Sequence, residues 1–417
     1  MTTTTHENLL HQVLDYTNRA DPYPIYARMR EHPVLVQDDG RYIVSTYAEI
    51  RACLQDPRFS SDLRKGYSQA DQRIVDEPEQ STFISMDPPK HDWLRHQVMK
   101  HFTPELINGL RPRTEEVARE LLDTHEQRAR LDIVDDFAYP LPVIIICELL
   151  GVPREDVVLF RTWVDQLLLA LDPGQAANKE LVQQAKSARA ELRQYMGRLI
   201  DKFQQTPGPG LISAMLHDTT QEKHMTKDEL IASSLLLLIA GHVTTVNLIA
   251  NSMLTLLRYP EHYERLRREP SIVANLVEEV LRYEPPVQFI RRTTLTEVPI
   301  AGVTIPQGAP VYLMLASGNR DPLRFDDPDR FDPDRTDIEH LGFGQGIHYC
   351  VGAPLARLET QVALLELARR LQEPHLIEDP PPYRESASLR GPLHLLVSQS
   401  VAWNHQTVGD KSSRERT

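Results

Sequence analysis

The sequence predicts a mainly α-helical fold with a smaller β portion, an α+β architecture, on three observations. Stretches such as 114–125 and 184–203 combine strong helix formers with apolar residues at three- and four-residue spacing. The 31 prolines fall mostly in clusters such as Pro207-Gly208-Pro209 and Pro380-Pro381-Pro382, which end elements and set turns. Strand signals are few and short.

Each element follows from its own residues. The run 41–46 is rich in β-branched and aromatic residues and reads as a strand. From 230 to 257 no residue is charged unless His242 is protonated, long enough to cross a bilayer. Ser233, Ser234, His242, Thr244, Thr245, Asn247, Asn251 and Ser252 would be costly facing lipid, so this segment is expected to be a helix buried in a large protein. Residues 298–311 read as two strands joined at Pro306-Gln307-Gly308, and 393–397, after the Gly391-Pro392 turn, as a strand of a C-terminal hairpin. No repeat, low-complexity block or linker divides the middle. Residues 1–403 are therefore expected to form a single domain, and 404–417 a polar, disordered tail.

Composition narrows the function. Over 417 residues, 46 Lys and Arg against 59 Asp and Glu leave a net charge of −13, the wrong sign for nucleic acid or an anionic membrane surface. The N-terminal Met1-Thr2-Thr3-Thr4-Thr5-His6 shows no signal-peptide pattern and no membrane anchor is read. Three cysteines cannot build a disulfide framework, which points to a reducing cytoplasm.

The densest chemistry lies at Phe343-Gly344-Gln345-Gly346-Ile347-His348-Tyr349-Cys350-Val351-Gly352-Ala353-Pro354-Leu355-Ala356-Arg357. Glycines around the cysteine allow tight turns and close backbone approach to a flat ligand. Leu355, Leu358, Val362 and Leu365 then fall at helical spacing, so Cys350 sits just before a helix N-terminus, where a thiolate is stabilised. Such a thiolate could be a nucleophile, although no histidine is marked as its base. It could also bind zinc with His348, although no further ligand pair has the spacing for it.

Phe-Gly-x-Gly-x-His-x-Cys-x-Gly followed by Leu-Ala-Arg resembles the haem-binding loop of the cytochrome P450 family, in the form with His348 that is similar to soluble bacterial members. Other family marks follow in order along nearly the whole chain, from Asp21-Pro22-Tyr23 to Gly391-Pro392. The resemblance implies haem b between a long distal helix and the helix after the cysteine loop, with Cys350 as the axial thiolate to iron. It implies that Phe343, Gly344, Gly352 and Ala356 line the cofactor. His91 and Arg95, from 87–95, Arg292 and His348 would meet its propionates. Glu279 and Arg282 of Glu-x-x-Arg, with Arg330 of Pro328-Asp329-Arg330-Phe331, would form a buried structural network. Asn319-Arg320-Asp321-Pro322 would be structural too.

On the distal helix, Ala240-Gly241-His242-Val243-Thr244-Thr245 resembles the oxygen-binding stretch. Ala240 and Gly241 would leave room over the haem and Thr244 would bond iron-bound dioxygen. The acid that normally precedes the threonine is Val243 here. Substrate would meet the 65–83 loop, Leu237, Val287, Gln288, Phe289, Ile290 and the 389–393 segment, mostly apolar with Gln288 among them, which suggests a hydrophobic substrate with one or two polar handles.

The implied activity is a haem-thiolate monooxygenase acting on a hydrophobic secondary-metabolite, terpenoid or steroid-like molecule. With no nicotinamide or flavin fingerprint in the chain, ferredoxin and ferredoxin reductase would bring electrons from NAD(P)H. The basic stretch around Lys100 is a candidate docking face. A peroxide-driven peroxygenase, suggested by Val243, and a non-catalytic haem sensor are the alternatives.

Overall fold

The computed structural model describes residues 8–66, 82–125, 128–170, 178–220 and 223–399. The expected tail and most of the 65–83 loop lie outside the described residues.

Amphipathic or wholly apolar sequence forms the helices that matter for the site. They are α1 (Tyr47–Gln55), α2 (Lys90–Met99), α3 (Arg111–Asp123), α4 (Pro140–Leu150), α5 (Lys179–Gln205), α6 (Lys227–Arg258), α7 (Val273–Tyr283) and α8 (Ala353–Arg370). The stretch expected at 114–125 is α3, and that at 184–203 is α5, longer at both ends. Helix α6 is the spine. Its N-terminus carries a capping box in which Thr226 and Glu229 satisfy each other's backbone N–H. It packs on α4, α5 and α8, and two-thirds of its most apolar stretch is buried in protein.

Most hydroxyls of α6, and Asn251, are satisfied within the fold. Ser234, Thr244, Thr245, Ser252 and Thr255 each donate to the carbonyl four residues back, at 2.7–2.9 Å. Asn251 donates to the carbonyls of Glu284 and Arg390 at 3.1 and 3.2 Å, tying the helix to the segment after α7 and to the C-terminal loop.

The β portion is three sheets among the described residues. In the largest, β1 (Val34–Val36), β2 (Tyr42–Val44), β8 (Pro310–Leu313), β5 (Ile290–Thr294) and β3 (Phe59–Ser60) lie in that order, with β2 and β8 parallel and the other pairs antiparallel. The region 298–311 differs from the expected two strands. It holds a hairpin of β6 (Val298–Ile300) and β7 (Val303–Ile305), then β8. The hairpin turns at Ala301-Gly302, both with positive φ, +46° and +78°, and an alanine rarely signals that conformation. Pro306-Gln307-Gly308 instead links β7 to β8.

The C-terminal strand is also placed differently. β10 (Leu396–Ser398) lies between β4 (Arg130–Asp132) and β9 (His375–Leu376), distant segments that local sequence cannot announce. The Gly391-Pro392 turn makes only bridges, Tyr383 with Pro392 and Val287 with Leu389.

Behind the cysteine loop lies a buried ion pair. Arg282 and Glu279 meet through two bonds of 2.7 Å, both fully buried. The remaining Arg282 protons reach the carbonyls of Asn319, Pro328 and Arg330, and the backbone N–H of Asp332 donates to Glu279. The second arginine beside Glu279 is Arg335, with Nε 3.5 Å from Oε2, and not the expected Arg330. The Arg330 side chain points outward to Asp332 and is 62 % exposed, so only its carbonyl takes part. Asn319 and Asp321 extend the network. The Asn319 amide bridges Leu281 and Leu341, and the Asp321 carboxylate accepts from the N–H of Tyr47 at the start of α1.

A second buried ionic group was not legible in sequence. Glu284 accepts from Arg390 and Arg320 and from the Tyr23 hydroxyl. The Arg320 guanidinium is sandwiched 3.3 and 3.8 Å from the ring centroids of Tyr23 and Tyr283.

Removing one partner of a buried pair strands the other charge. Arg282→Met is expected to lower unfolding free energy by about 3–5 kcal/mol, whereas Arg330→Met should stay within about 0.5 kcal/mol of wild type. Urea unfolding of the two variants measures the difference.

Candidate active site

The loop from Leu341 to Gly352 is shaped by backbone bonds and by two glycines. Gly344 N–H donates to Leu341 O at 2.8 Å, Tyr349 N–H to Gly346 O at 3.1 Å, and Cys350 N–H to Phe343 O at 3.0 Å, closing the loop on itself. Gly344 and Gly346 have φ of +67° and +70°. A Cβ on Gly346 would also lie 2.5 Å from the carbonyl of Leu54 in α1, so no other residue fits. A Cβ on Gly344 would meet nothing within 4 Å, and one on Gly352 would come 3.9 Å from Cys350 Sγ.

Cys350 precedes α8 and keeps accessible surface, although protein surrounds it on most sides. Burial pushes its thiol up. The N–H groups of Gly352 and Ala353 and the charges of Arg95 and Arg357 act in the opposite direction. Cys53 and Cys147, by contrast, are buried among apolar side chains, with burial pushing both thiols up to about 12.

In the middle of α6, Ala240 is exposed and Gly241 and Thr244 are partly so, while Val243, Thr245 and Val246 around them are buried. Phe343, Gly344, His348, Gly352 and Ala356 likewise keep uncovered surface. A Cβ on Gly241 would touch Ile146 of α4 at 3.7 Å, so this glycine also sits at a helix contact. The Thr244 hydroxyl donates to Ala240 O, leaving its lone pairs outward. His242 is buried, its ring 4.4 Å from that of Tyr139.

Four basic side chains gather from two elements and the cysteine loop. His91 and Arg95 come from α2, Arg292 from β5, and His348 from two residues before the cysteine. The His91 and His348 rings lie 4.4 Å apart. Burial, reinforced by Arg292, His91 and Arg95, pushes His348 down to about 3. Burial likewise takes Arg292 down to about 10. Arg95 bonds the Tyr349 carbonyl and Arg292 the Arg291 carbonyl. His91 Nδ1 meets Asp92 at 2.7 Å, but its buried Nε2 has no partner. The nearby Asp87 is engaged by Ser60, the Ser61 N–H and Lys65. Two guanidiniums with two histidine rings, one of them with an orphaned nitrogen, fit an anionic ligand, and the two carboxylates of haem are of the right charge.

Two pocket expectations are corrected. Gln288 is fully buried, its amide accepting from Tyr26 Oη at 3.0 Å and donating to Pro285 O at 2.6 Å, so it is no substrate handle. Phe289 packs near Tyr312 in the core formed with the N-terminal helices. Val287 and Ile290 stay half-buried, and Leu237 is buried on α6. Lys100 is not a free cation: it pairs with Asp218, beside His101, and bonds Gln97.

One cluster escaped the sequence reading. Glu278, next to Glu279 on α7, accepts from Arg357 Nε and Nη2 at 2.6 and 2.8 Å. Arg357 also donates to Tyr349 Oη at 3.2 Å and stacks 4.6 Å from the Phe343 ring centroid. His340 Nδ1 accepts from Gly342 N–H, so its proton is on Nε2, 3.1 Å from Glu278. Only the spatial return of the loop onto α7 reveals this group.

Fold and site together define a haem-thiolate protein: a mainly helical chain presenting a cysteine before a helix, with basic side chains gathered beside it. The chain belongs to the cytochrome P450 family, whose family model, described as Cytochrome P450, matches residues 36–395. It is a cytochrome P450 monooxygenase, with cysteine-ligated haem as its cofactor. It is 39 % identical over 401 residues to the vitamin D(3) 25-hydroxylase of Pseudonocardia autotrophica, covering 94 % of this chain and 96 % of that one. The ligand-free crystal structure of CYP164A2 from Mycobacterium smegmatis superposes with a TM-score of 0.87 at 41 % identity, covering 94 % and 99 % of the two chains. P450BioI, solved in complex with an acyl carrier protein ligated to hexadec-9Z-enoic acid, superposes at 0.85 with 33 % identity over 92 % and 99 %.

The Glu278 carboxyl is held down to about 2, against an ordinary 4.5, by Arg357 and His340 in spite of its burial. A depressed folded-state value gives stability that is present above 4.5 and lost as pH falls toward 2. Apoprotein unfolding measured across that window should show a slope that Glu278→Gln removes in part.

Proposed function

We propose that this chain inserts one oxygen atom from O2 into a hydrophobic small molecule in the cytoplasm, with electrons passed from NAD(P)H by ferredoxin reductase and ferredoxin. The observation that carries the reading is the exposed Cys350 beside four basic groups, one with an orphaned buried nitrogen. Cys350 would hold the iron as thiolate. His91, Arg95, Arg292 and His348 would bind the two carboxylates, and Ala240, Gly241, Thr244, Phe343, Gly344, Gly352 and Ala356 would be covered by the ring. Haem, when bound, supplies the binding and reductive activation of dioxygen.

The protein's part is orientation and proton supply. The proton of Thr244 is committed to Ala240 O, so its oxygen meets the site as an acceptor. It would orient a proton-donating water or substrate hydroxyl, not originate the proton. Val243 is buried and apolar and holds none. His242, two residues from Thr244 on the helix, is turned into the core against Tyr139. Protons therefore reach Thr244 through water or a polar group of the substrate. With Gln288 withdrawn, Leu237, Val287 and Ile290 offer apolar walls, which favours an apolar substrate like those named for the relatives.

Val243 supports a second reading, in which hydrogen peroxide replaces O2 and ferredoxin. Turnover with peroxide and no reductase, at a rate matching the reconstituted chain, would select it. Under the first reading Val243→Glu should raise the ratio of product to hydrogen peroxide several-fold, and an unchanged ratio would exclude proton delivery at this position.

The first reading is tested by optical titration of the ferric protein with steroid, terpenoid and long-chain fatty acyl compounds. A low-to-high-spin shift with a member that is then oxidised supports it. Oxidation of none of them, free or carrier-linked, with reductase and ferredoxin present, overturns it.

A further inference from the structure

The Glu278 cluster lies outside the haem carboxylate site and outside the Glu279–Arg282 pair, although Glu278 is the neighbour of Glu279. Its geometry concerns the cysteine loop. Arg357 touches both ends of that loop, stacking on Phe343 and donating to Tyr349, the residues that flank the closing bond from Cys350 N–H to Phe343 O. Phe343 and Tyr349 also meet ring to ring at 6.3 Å. A guanidinium is charged at every accessible pH, and one braced on both Phe343 and Tyr349 sets a fixed positive charge against the segment that carries Cys350. Glu278 supplies the opposite charge through both oxygens, and the Nε2 proton of His340 fixes the carboxylate plane.

We propose that Glu278 is a positioning residue for the thiolate loop: it holds Arg357 as a brace across Phe343 and Tyr349 while cancelling the arginine's charge at Cys350. A brace at this place must be planar to stack and multiply donating to bridge, which calls for arginine. An arginine alone would withdraw electron density from the sulfur. The adjacent carboxylate on α7 removes that conflict, and because α7 is anchored by Glu279 and Arg282, the brace is referred to the rigid part of the fold. The inference rests on the reading of Cys350 as the haem ligand.

The charge logic gives a test with signs. The midpoint potential of the haem iron is measured in the holoenzyme, alongside the unfolding temperature of the apoprotein. Glu278→Gln leaves Arg357 uncompensated and should move the potential positive. Arg357→Met leaves Glu278 uncompensated and should move it negative. The double variant should return to the wild-type value, while all three lower the unfolding temperature. A purely structural brace would lower the unfolding temperatures without this alternation of sign, and potentials that all move one way, or none, overturn the proposal. If Glu278→Gln does not retain haem, the negative shift in Arg357→Met and its cancellation in the double variant decide the matter. The long-wavelength Soret band of the wild-type ferrous carbonyl complex reports thiolate ligation separately. Its absence would overturn the Cys350 reading, whereas its presence without the sign pattern would overturn this inference alone.

Discussion

The buried pair of Glu279 and Arg282 is the interaction on which the site depends, because it joins parts of the chain that would otherwise have no reason to meet. Arg282 gathers three carbonyls from the segment between Asn319 and Arg330, and Glu279 takes the Asp332 N–H from the same segment. That segment passes directly into the cysteine loop, where Leu341 N–H is held by Asn319. Two charges out of water are costly unless their remaining donors and acceptors are filled, and here backbone groups fill them. The pair is thus a demand for one particular path of irregular chain. Regular secondary structure could not have set that path, since the region contains almost none.

Much of this was legible in the residues. The glycine spacing and the helical period after it marked Cys350 as special, and the uncharged run with scattered hydroxyls marked a buried helix. The hydroxyls fit a core because each can be satisfied by a carbonyl four residues back, a local rule. What was not legible depended on the chain's return in space. Arg330 and Arg335 are five residues apart in one loop, and only the loop's path decides which turns inward. Gln288 read as a polar handle because composition cannot show that Tyr26, 262 residues away, occupies its oxygen. The Ala301-Gly302 turn was masked by an alanine in a conformation that alanine seldom adopts. Lys100 read as a docking cation and Glu278 carried no signal of its own, and their partners, Asp218 and Arg357, come from far along the chain.

The distal helix shows how a departure from a family pattern can be absorbed. Val243 packs in the core and disturbs nothing around it. Thr244 bonds the Ala240 carbonyl, a contact in which the side chain at 243 takes no part. Under the proposed oxygen chemistry the change therefore bears on proton supply.

The basic cluster at His91, Arg95, Arg292 and His348 has a consequence for the life of the chain before it is loaded. The Arg292 guanidinium held out of water and the unsatisfied ring nitrogen of His91 both oppose folding, and the opposition is relieved when an anion arrives. Part of the free energy of cofactor capture is accordingly withheld from the empty protein. If the carboxylates of haem fill this cluster as proposed, a newly made chain is held short of its full stability until they arrive, and when haem is scarce the population exposed to proteases grows. Supply of the cofactor would then set how much of the protein persists, without any dedicated sensor.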